Sequence, residues 1–293
     1  MKVLSAQASA AWRFAALALC LLLASSFAPQ PAPAPVPNVE LMVYDFDLGP
    51  EPVSNVERMR LLGFTGLVTR CSVPSDLPKL AAYVRHVQSL TGFRMLAYTE
   101  YDYAIPATFG TWQAELPLLA LADAPLWVIV RNAPSVPVLD ALLWNMANTA
   151  SAYGVPVVIY PHWDTDIESA DEAAARIAQI GHPNLHLSLH TCHEIRSGHQ
   201  YSLPAEVVQH VAATQLVTIA GAEDNAYSGP PPVPWDDAIR ALDRSDFDLL
   251  PFLRALDQNG YQGPIILHTW GLAWDRGHHA RSISRYESLR KQL

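Results

Sequence analysis

The chain is poor in cysteine, in charge and in long apolar stretches. Three cysteines among 293 residues are too few for a disulfide scaffold. Charged residues make up 16% and hydrophobic ones 50%, a balance that excludes global disorder and a solvent-exposed coiled coil. Positive charge is the scarcer sign: 19 Lys plus Arg against 28 Asp plus Glu give −9. A chain that repels phosphates overall is poorly suited to nucleic acid, so no nucleic-acid partner is expected. No glycine-rich phosphate fingerprint follows the first strand-like segment (YDFDLGPEP), which argues against a dinucleotide-binding fold. The longest apolar run, Phe14 to Ala24, has 11 residues, short of the roughly 20 of a membrane span.

That run is the first feature that is present. Lys2 and Arg13 precede or flank it, and Ala24-Ser25-Ser26 offers small residues for cleavage. Residues 1–26 therefore read as a secretory signal peptide. The alternative is an uncleaved N-terminal anchor. Residues 27–38 alternate proline with small residues and read as a Pro/Ala-rich tether. The expected protein is exported, periplasmic or extracellular, with no stable membrane insertion after cleavage. Its mature part has 17 Lys plus Arg against 28 acids, a charge of −11, and keeps only Cys71 and Cys192.

From residue 39 to 293, short β-rich runs alternate with helical patterns. The expected strands are Leu41–Phe46, Gly66–Arg70, Arg94–Thr99, Leu126–Arg131, Pro156–Tyr160, Leu185–His190, Leu216–Ala220 and Pro264–Thr269. Runs such as LWVIV and VPVVIY are apolar on both faces, as buried parallel strands are. Pro137–Tyr153, Asp171–Ile180 and Asp246–Gln258 carry helical spacing, the last with its true start near Pro251. Eight such units in about 250 residues predict a single-domain α/β fold, a (β/α)8 TIM barrel. In that fold the C-terminal strand ends form the site.

The sequence holds 11 histidines, and four fall at those ends. His162 follows strand five, His190 and His193 end strand six, and His268 ends strand eight. Imidazoles suit a borderline metal and also acid–base work near neutral pH. His190, His193 and His268 are the candidate metal ligands. His182 and His186 read as bottom-face or helix-facing, and His278 and His279 as solvated. His86, His199 and His210 read as surface positions.

Four pieces carry a resemblance: Tyr160-Pro161-His162, His182-Pro183-Asn184-Leu185-His186-Leu187, Cys192-His193, and Gly260-Tyr261-Gln262-Gly263-Pro264-Ile265. With Leu62-Gly63-Phe64-Thr65-Gly66 before strand two, they resemble the xylose isomerase-like barrels of the sugar phosphate isomerase/epimerase family, exported subgroup. That superfamily also includes endonuclease-four-type DNA repair enzymes, a branch that the acidic charge and expected export disfavour. The resemblance implies a divalent metal held by Glu on strand five, Asp and His around strand six, and Glu on strand eight. Here those places hold Tyr160, His190 with His193, and His268. Ala220 ends strand seven, with Glu223 and Asp224 just beyond. Carboxylates favour Mg or Mn and imidazoles favour Zn, so all three metals stay open.

The resemblance implies a metal-dependent sugar isomerase or epimerase, or a related lyase, moving a proton next to a carbonyl. His162 and Glu223 are the candidate acid–base residues, and Tyr160 a donor to an oxyanion. Trp163 and Trp270 are expected to stack on sugar faces, with Trp274, Tyr101 and Tyr103 as further aromatics. Asp45 and Glu100 are expected to bind sugar hydroxyls or complete the metal shell; Asp47 and Asp102 lie at the same strand ends. The competing reading is a non-catalytic carbohydrate-binding barrel with a degenerate metal site. Both readings take a small-molecule carbohydrate as partner.

Overall fold

Eight parallel strands close on themselves in the order β1 to β8, each followed by helix, in a computed structural model. The strands are β1 (Leu41–Tyr44), β2 (Gly66–Arg70), β3 (Arg94–Asp102), β4 (Leu126–Arg131), β5 (Val157–Ile159), β6 (Leu185–His190), β7 (Thr214–Ile219) and β8 (Ile265–Leu267). This is the (β/α)8 barrel expected from the sequence. The structure describes residues 41–46, 48–223, 229–272 and 276–293. The expected signal peptide and tether, Asp47, Asp224 and Trp274 lie outside these residues. Among the described residues no helix is long and apolar enough to cross a membrane.

Ten α-helices are described, and those that matter to the site are few. α1 (Pro52–Leu62), α2 (Leu77–Val87) and α3 (Thr111–Ala122) follow the first three strands. α4 (Val136–Ser151) and α5 (Ala170–Ile180) follow β4 and β5. The excursion after β6 holds α6 (Thr191–Arg196) and α7 (Leu203–His210). α8 (Trp235–Ala238) and α9 (Leu250–Gln258) follow β7, and α10 (Arg276–Arg290) ends the chain. Proline starts α9 within its first turn, where its missing N–H costs nothing. α5 is capped by Ser169, whose hydroxyl accepts the Glu172 N–H at 3.2 Å.

Strands such as β4 are buried on both faces, which is why they read as continuous apolar runs. Gly66 opens β2 because a Cβ there would meet the Met42 side chain at 2.5 Å and the Arg94 carbonyl oxygen at 2.7 Å. After β7 the chain folds back on itself. Gly221 and Arg240 exchange backbone hydrogen bonds in an antiparallel bridge, and Glu223 N–H donates to the Asp237 carbonyl at 2.7 Å.

Three histidines expected at the surface are in fact packed. His279 is 2% exposed and sits edge-on to Phe64. His278 is buried beside it. His210 is buried at the end of α7, where Nε2 meets Asp171 Oδ1 at 2.6 Å. Amphipathic packing of α7 and α10 takes these residues inward; a histidine beside polar neighbours does not announce that in sequence. Cys71 and Cys192 are both buried free thiols.

A buried carboxyl lies under β3. Glu115 on α3 is fully covered, and its Oε2 accepts the Thr99 hydroxyl at 2.6 Å. Burial pushes its pKa up to about 8. The folded value thus exceeds the ordinary 4.5. The stability this proton contributes is fully present below about pH 4.5 and lost as pH rises through about 8. Glu115→Gln is expected to flatten that alkaline loss, read as the urea midpoint between pH 6 and pH 9. Parallel profiles for variant and parent would show that Glu115 is already ionised.

Candidate active site

The C-terminal strand ends enclose a cavity of about 770 Å³. Tyr98, Tyr160 and His268 line it, and they pack in one cluster of rings with Tyr44 on β1, Trp127 on β4 and His190 on β6. Tyr160 stacks on His190 with centroids 3.9 Å apart and planes 13° apart, and on Trp127 at 4.6 Å. Tyr44 lies 4.8 Å from His268 and donates its hydroxyl to the Tyr160 oxygen at 3.3 Å. Burial raises both phenols well above the ordinary tyrosine value, so both keep their protons.

The four strand-end histidines divide into different environments. His162 lines the cavity, its ring 4.1 Å from that of His193. Its Nδ1 is 2.7 Å from the Trp163 carbonyl oxygen. A carbonyl only accepts, so Nδ1 carries the proton and Nε2 the lone pair. Burial lowers its pKa to about 4. His268 lines the cavity, with its pKa lowered to about 3 by burial. His193, in the first turn of α6, also lines it and is 1% exposed. Neither of its ring nitrogens has a hydrogen-bond partner, and burial keeps it neutral.

His190 is held differently. Ser188 donates its hydroxyl to the Ile159 carbonyl at 3.0 Å, and its Oγ accepts the Trp127 indole N–H at 2.8 Å. Its remaining contact is His190 Nε2 at 2.8 Å, so that nitrogen carries a proton and donates. The ring does not line the cavity. Among the described residues, the ligand-type atoms within 4.8 Å of one another here belong to Cys192, His193 and His268. His190, expected as the third ligand, stands outside that group. Cys192, with its thiol pushed up to about 12 by burial, stands inside it.

The other expected site residues also separate. Tyr160, Trp270, Glu100 and Asp45 line the cavity. Asp45 Oδ2 is held by Thr69 at 2.8 Å, Tyr83 at 3.0 Å and Lys79 at 2.7 Å. Glu223 does not line it: the bridge after β7 turns its carboxylate to an ion pair with Arg240. Trp163 does not line it either. Its ring covers the Arg196 guanidinium at 4.1 Å, and the Trp235 ring, edge-on to that of Trp163, lies 4.2 Å from the same guanidinium. Tyr101 and Tyr103 pack on Phe109 instead. Asp102 Oδ1 caps its loop through the Ala104 N–H and the Asn132 amide, both at 2.8 Å.

Sequence reasoning missed several lining residues: Phe46, Tyr98, Trp235, Arg70, Lys79 and Arg131. Arg70 and Arg131 end β2 and β4, so the strand-end rule applied to histidine would have found them. Lys79 reaches back from the first turn of α2. Trp235 follows a proline-rich loop that carries no periodic signal. Arg131 Nε lies 3.8 Å from Glu100. Among the described residues no carboxylate lies within ion-pair distance of Arg70.

Comparison with known proteins fits this architecture. A family model described as a xylose isomerase-like TIM barrel matches residues 142–289, just over half of the chain. The chain belongs to the xylose isomerase-like TIM barrel family. No curated protein matches it by sequence. Among solved structures it is similar to a xylose isomerase domain-containing protein from Salmonella typhimurium, at 16% identity and TM-score 0.66, over 88% of this chain and 99% of that one. D-psicose 3-epimerase from Clostridium cellulolyticum, solved with D-tagatose, gives 14% identity and TM-score 0.60 over 86% and 98%. 3-Keto-D-glucoside 4-epimerase from E. coli gives 15% identity and TM-score 0.62 over 86% and 99%. Identities this low establish the shared barrel alone.

Proposed function

We propose that this protein is a metal-dependent isomerase or epimerase acting on a sugar or keto-sugar, by proton transfer at a carbon next to a carbonyl. The observation that carries the reading is His193. It is a buried imidazole beside the cavity, with both ring nitrogens unpartnered and one within 4.8 Å of donor atoms of Cys192 and His268. Orphaned polar atoms of this kind are rare because each costs about 1–3 kcal/mol. A cation would remove that cost for the nitrogen it binds. One sulfur and two imidazole donors suit a borderline metal, so zinc is favoured over magnesium or manganese. When bound, such an ion polarises a carbonyl and its neighbouring hydroxyl.

The chain supplies the rest. His162 offers Nε2 as the proton acceptor, its Nδ1–H being committed to the Trp163 carbonyl. Tyr160 receives the Tyr44 hydroxyl and retains its own O–H for a substrate oxygen. Asp45 and Glu100 face sugar hydroxyls, and Trp235 and Trp270 offer apolar faces at the rim. The sequence of residues 1–26 supports export of this activity, with residues 27–38 as the tether.

The test is solvent-proton exchange. A panel of ketoses and aldoses is incubated in deuterated water with the chelated protein, and again with zinc or manganese. The expected result is metal-dependent deuterium uptake beside the carbonyl, reduced about 100-fold in His162→Ala while sugar binding persists. Sugar binding with no exchange and no bound metal would overturn the enzymatic reading in favour of a carbohydrate-binding barrel.

A further inference from the structure

A second group of ligand-type side chains lies in the excursion after β6. Glu194 in α6, His199 in the following turn and Glu206 in α7 each place one carboxylate oxygen or ring nitrogen within 4.8 Å of the other two. None of them lines the cavity. Glu194 is 2% exposed and Glu206 9%, whereas half of the His199 side chain, 52%, is open to solvent.

The local hydrogen bonds leave this group incomplete. Glu194 Oε1 accepts the Ala170 N–H at 3.1 Å, and Oε2 lies 3.1 Å from His199 Nδ1. Glu206 Oε1 accepts the Ser202 hydroxyl at 2.7 Å. Glu206 Oε2 is buried and has no hydrogen-bond partner. Two adjacent buried carboxylates face one imidazole, and one carboxylate oxygen is orphaned. Burying such an oxygen without a partner is costly, and a cation bound between the two carboxylates would satisfy it.

We propose that Glu194, His199 and Glu206 form a second metal site that takes a borderline divalent cation of the zinc class. Two carboxylate oxygens and one imidazole nitrogen make a mixed donor set. The imidazole disfavours calcium and magnesium, which are held by oxygen. Three protein ligands leave room for water in a tetrahedral shell, and the exposed side of His199 gives the ion its path from solvent. All three ligands lie in one short stretch of chain, so the ion ties α6 to α7. α6 also carries Cys192 and His193. The second ion therefore fixes the element that presents those residues to the cavity, without itself meeting substrate.

The test uses the full chain, stripped with chelator and then titrated with zinc. Zinc content and thermal unfolding are followed in the parent, His193→Ala, His199→Ala, Glu206→Gln and the double variant His193→Ala/His199→Ala. His193→Ala is expected to keep one zinc equivalent, with Tm raised by about 5 °C at saturation. The double variant is expected to lose both the equivalent and the rise. His199 is half exposed, so its truncation leaves the metal-free fold intact, and Glu206→Gln repeats the test with an isostere. Undiminished zinc binding by the double variant, relative to His193→Ala, would overturn the proposal. One equivalent in the parent and in His193→Ala, abolished by His199→Ala, would support this site while removing the metal from the function proposed for the cavity.

Discussion

His193→Ala is expected to cost the protein one zinc equivalent and at least 100-fold of its proton-exchange activity, with little change in the Tm of the chelated protein. The loss of activity follows from the place of the ring: loss of a group that merely supports a metal ligand already costs about 10–100-fold. The unchanged Tm follows from two opposing effects. Truncation removes two buried, unpartnered nitrogens, which relieves about 1–3 kcal/mol for each. It also removes packing, but His193 borders an existing cavity, so no sealed void is created. A histidine kept for packing would give the reverse pattern: lower Tm, with zinc content and exchange intact. That reverse pattern would remove His193 from the proposed metal site. Zinc content, exchange rate and Tm are measured on one preparation.

Ser188→Ala is expected to have the largest effect on stability of any single hydroxyl described above, about 3 kcal/mol or more, seen as a fall in Tm of about 10 °C. One Oγ accepts from the Trp127 indole and the His190 imidazole and donates to the Ile159 carbonyl, all inside the barrel. Alanine strands two buried N–H groups at once: Trp127 and Ser188 are wholly covered and His190 is 2% exposed. His190 also stacks on Tyr160, so releasing it loosens the lining of the cavity. A fall in Tm of less than about 2 °C would mean that the two N–H groups find other partners. Near-ultraviolet circular dichroism would follow the Trp127 environment in the same sample.

The barrel was legible because its strands obey local rules. β2, β4 and β6 fall on the residues expected: β4 is an apolar run with a sharp boundary, and β6 alternates leucine with polar residues between turn signals. β3 continues to Asp102, three residues past Thr99, because Glu100 and Asp102 pair with β4 despite their polarity. The site was legible only where it follows from strand ends. His162, His193 and His268 reach the mouth by that rule. His190 lies at a strand end too, but it is the last residue of β6 and meets Ser188 two positions earlier, whereas His193 is carried to the mouth by the first turn of α6. Glu223 depended on the Gly221–Arg240 bridge, a pairing between residues far apart with no periodic signature. Cys192 depended on α6 beginning directly at Thr191, which carries the thiol toward His268.

The make-up of the mouth has a consequence for how solutes arrive. With its imidazoles neutral, the described lining carries Arg70, Lys79 and Arg131 against Asp45 and Glu100, one positive charge in excess. The chain as a whole carries −9. Beyond a Debye length, about 10 Å at 0.1 M salt, an anion meets a repelling molecule; inside that distance it meets an attracting one. A neutral sugar feels neither field. Added salt weakens the outer barrier before the inner attraction, so the balance between neutral and acidic sugars at this entrance shifts with ionic strength.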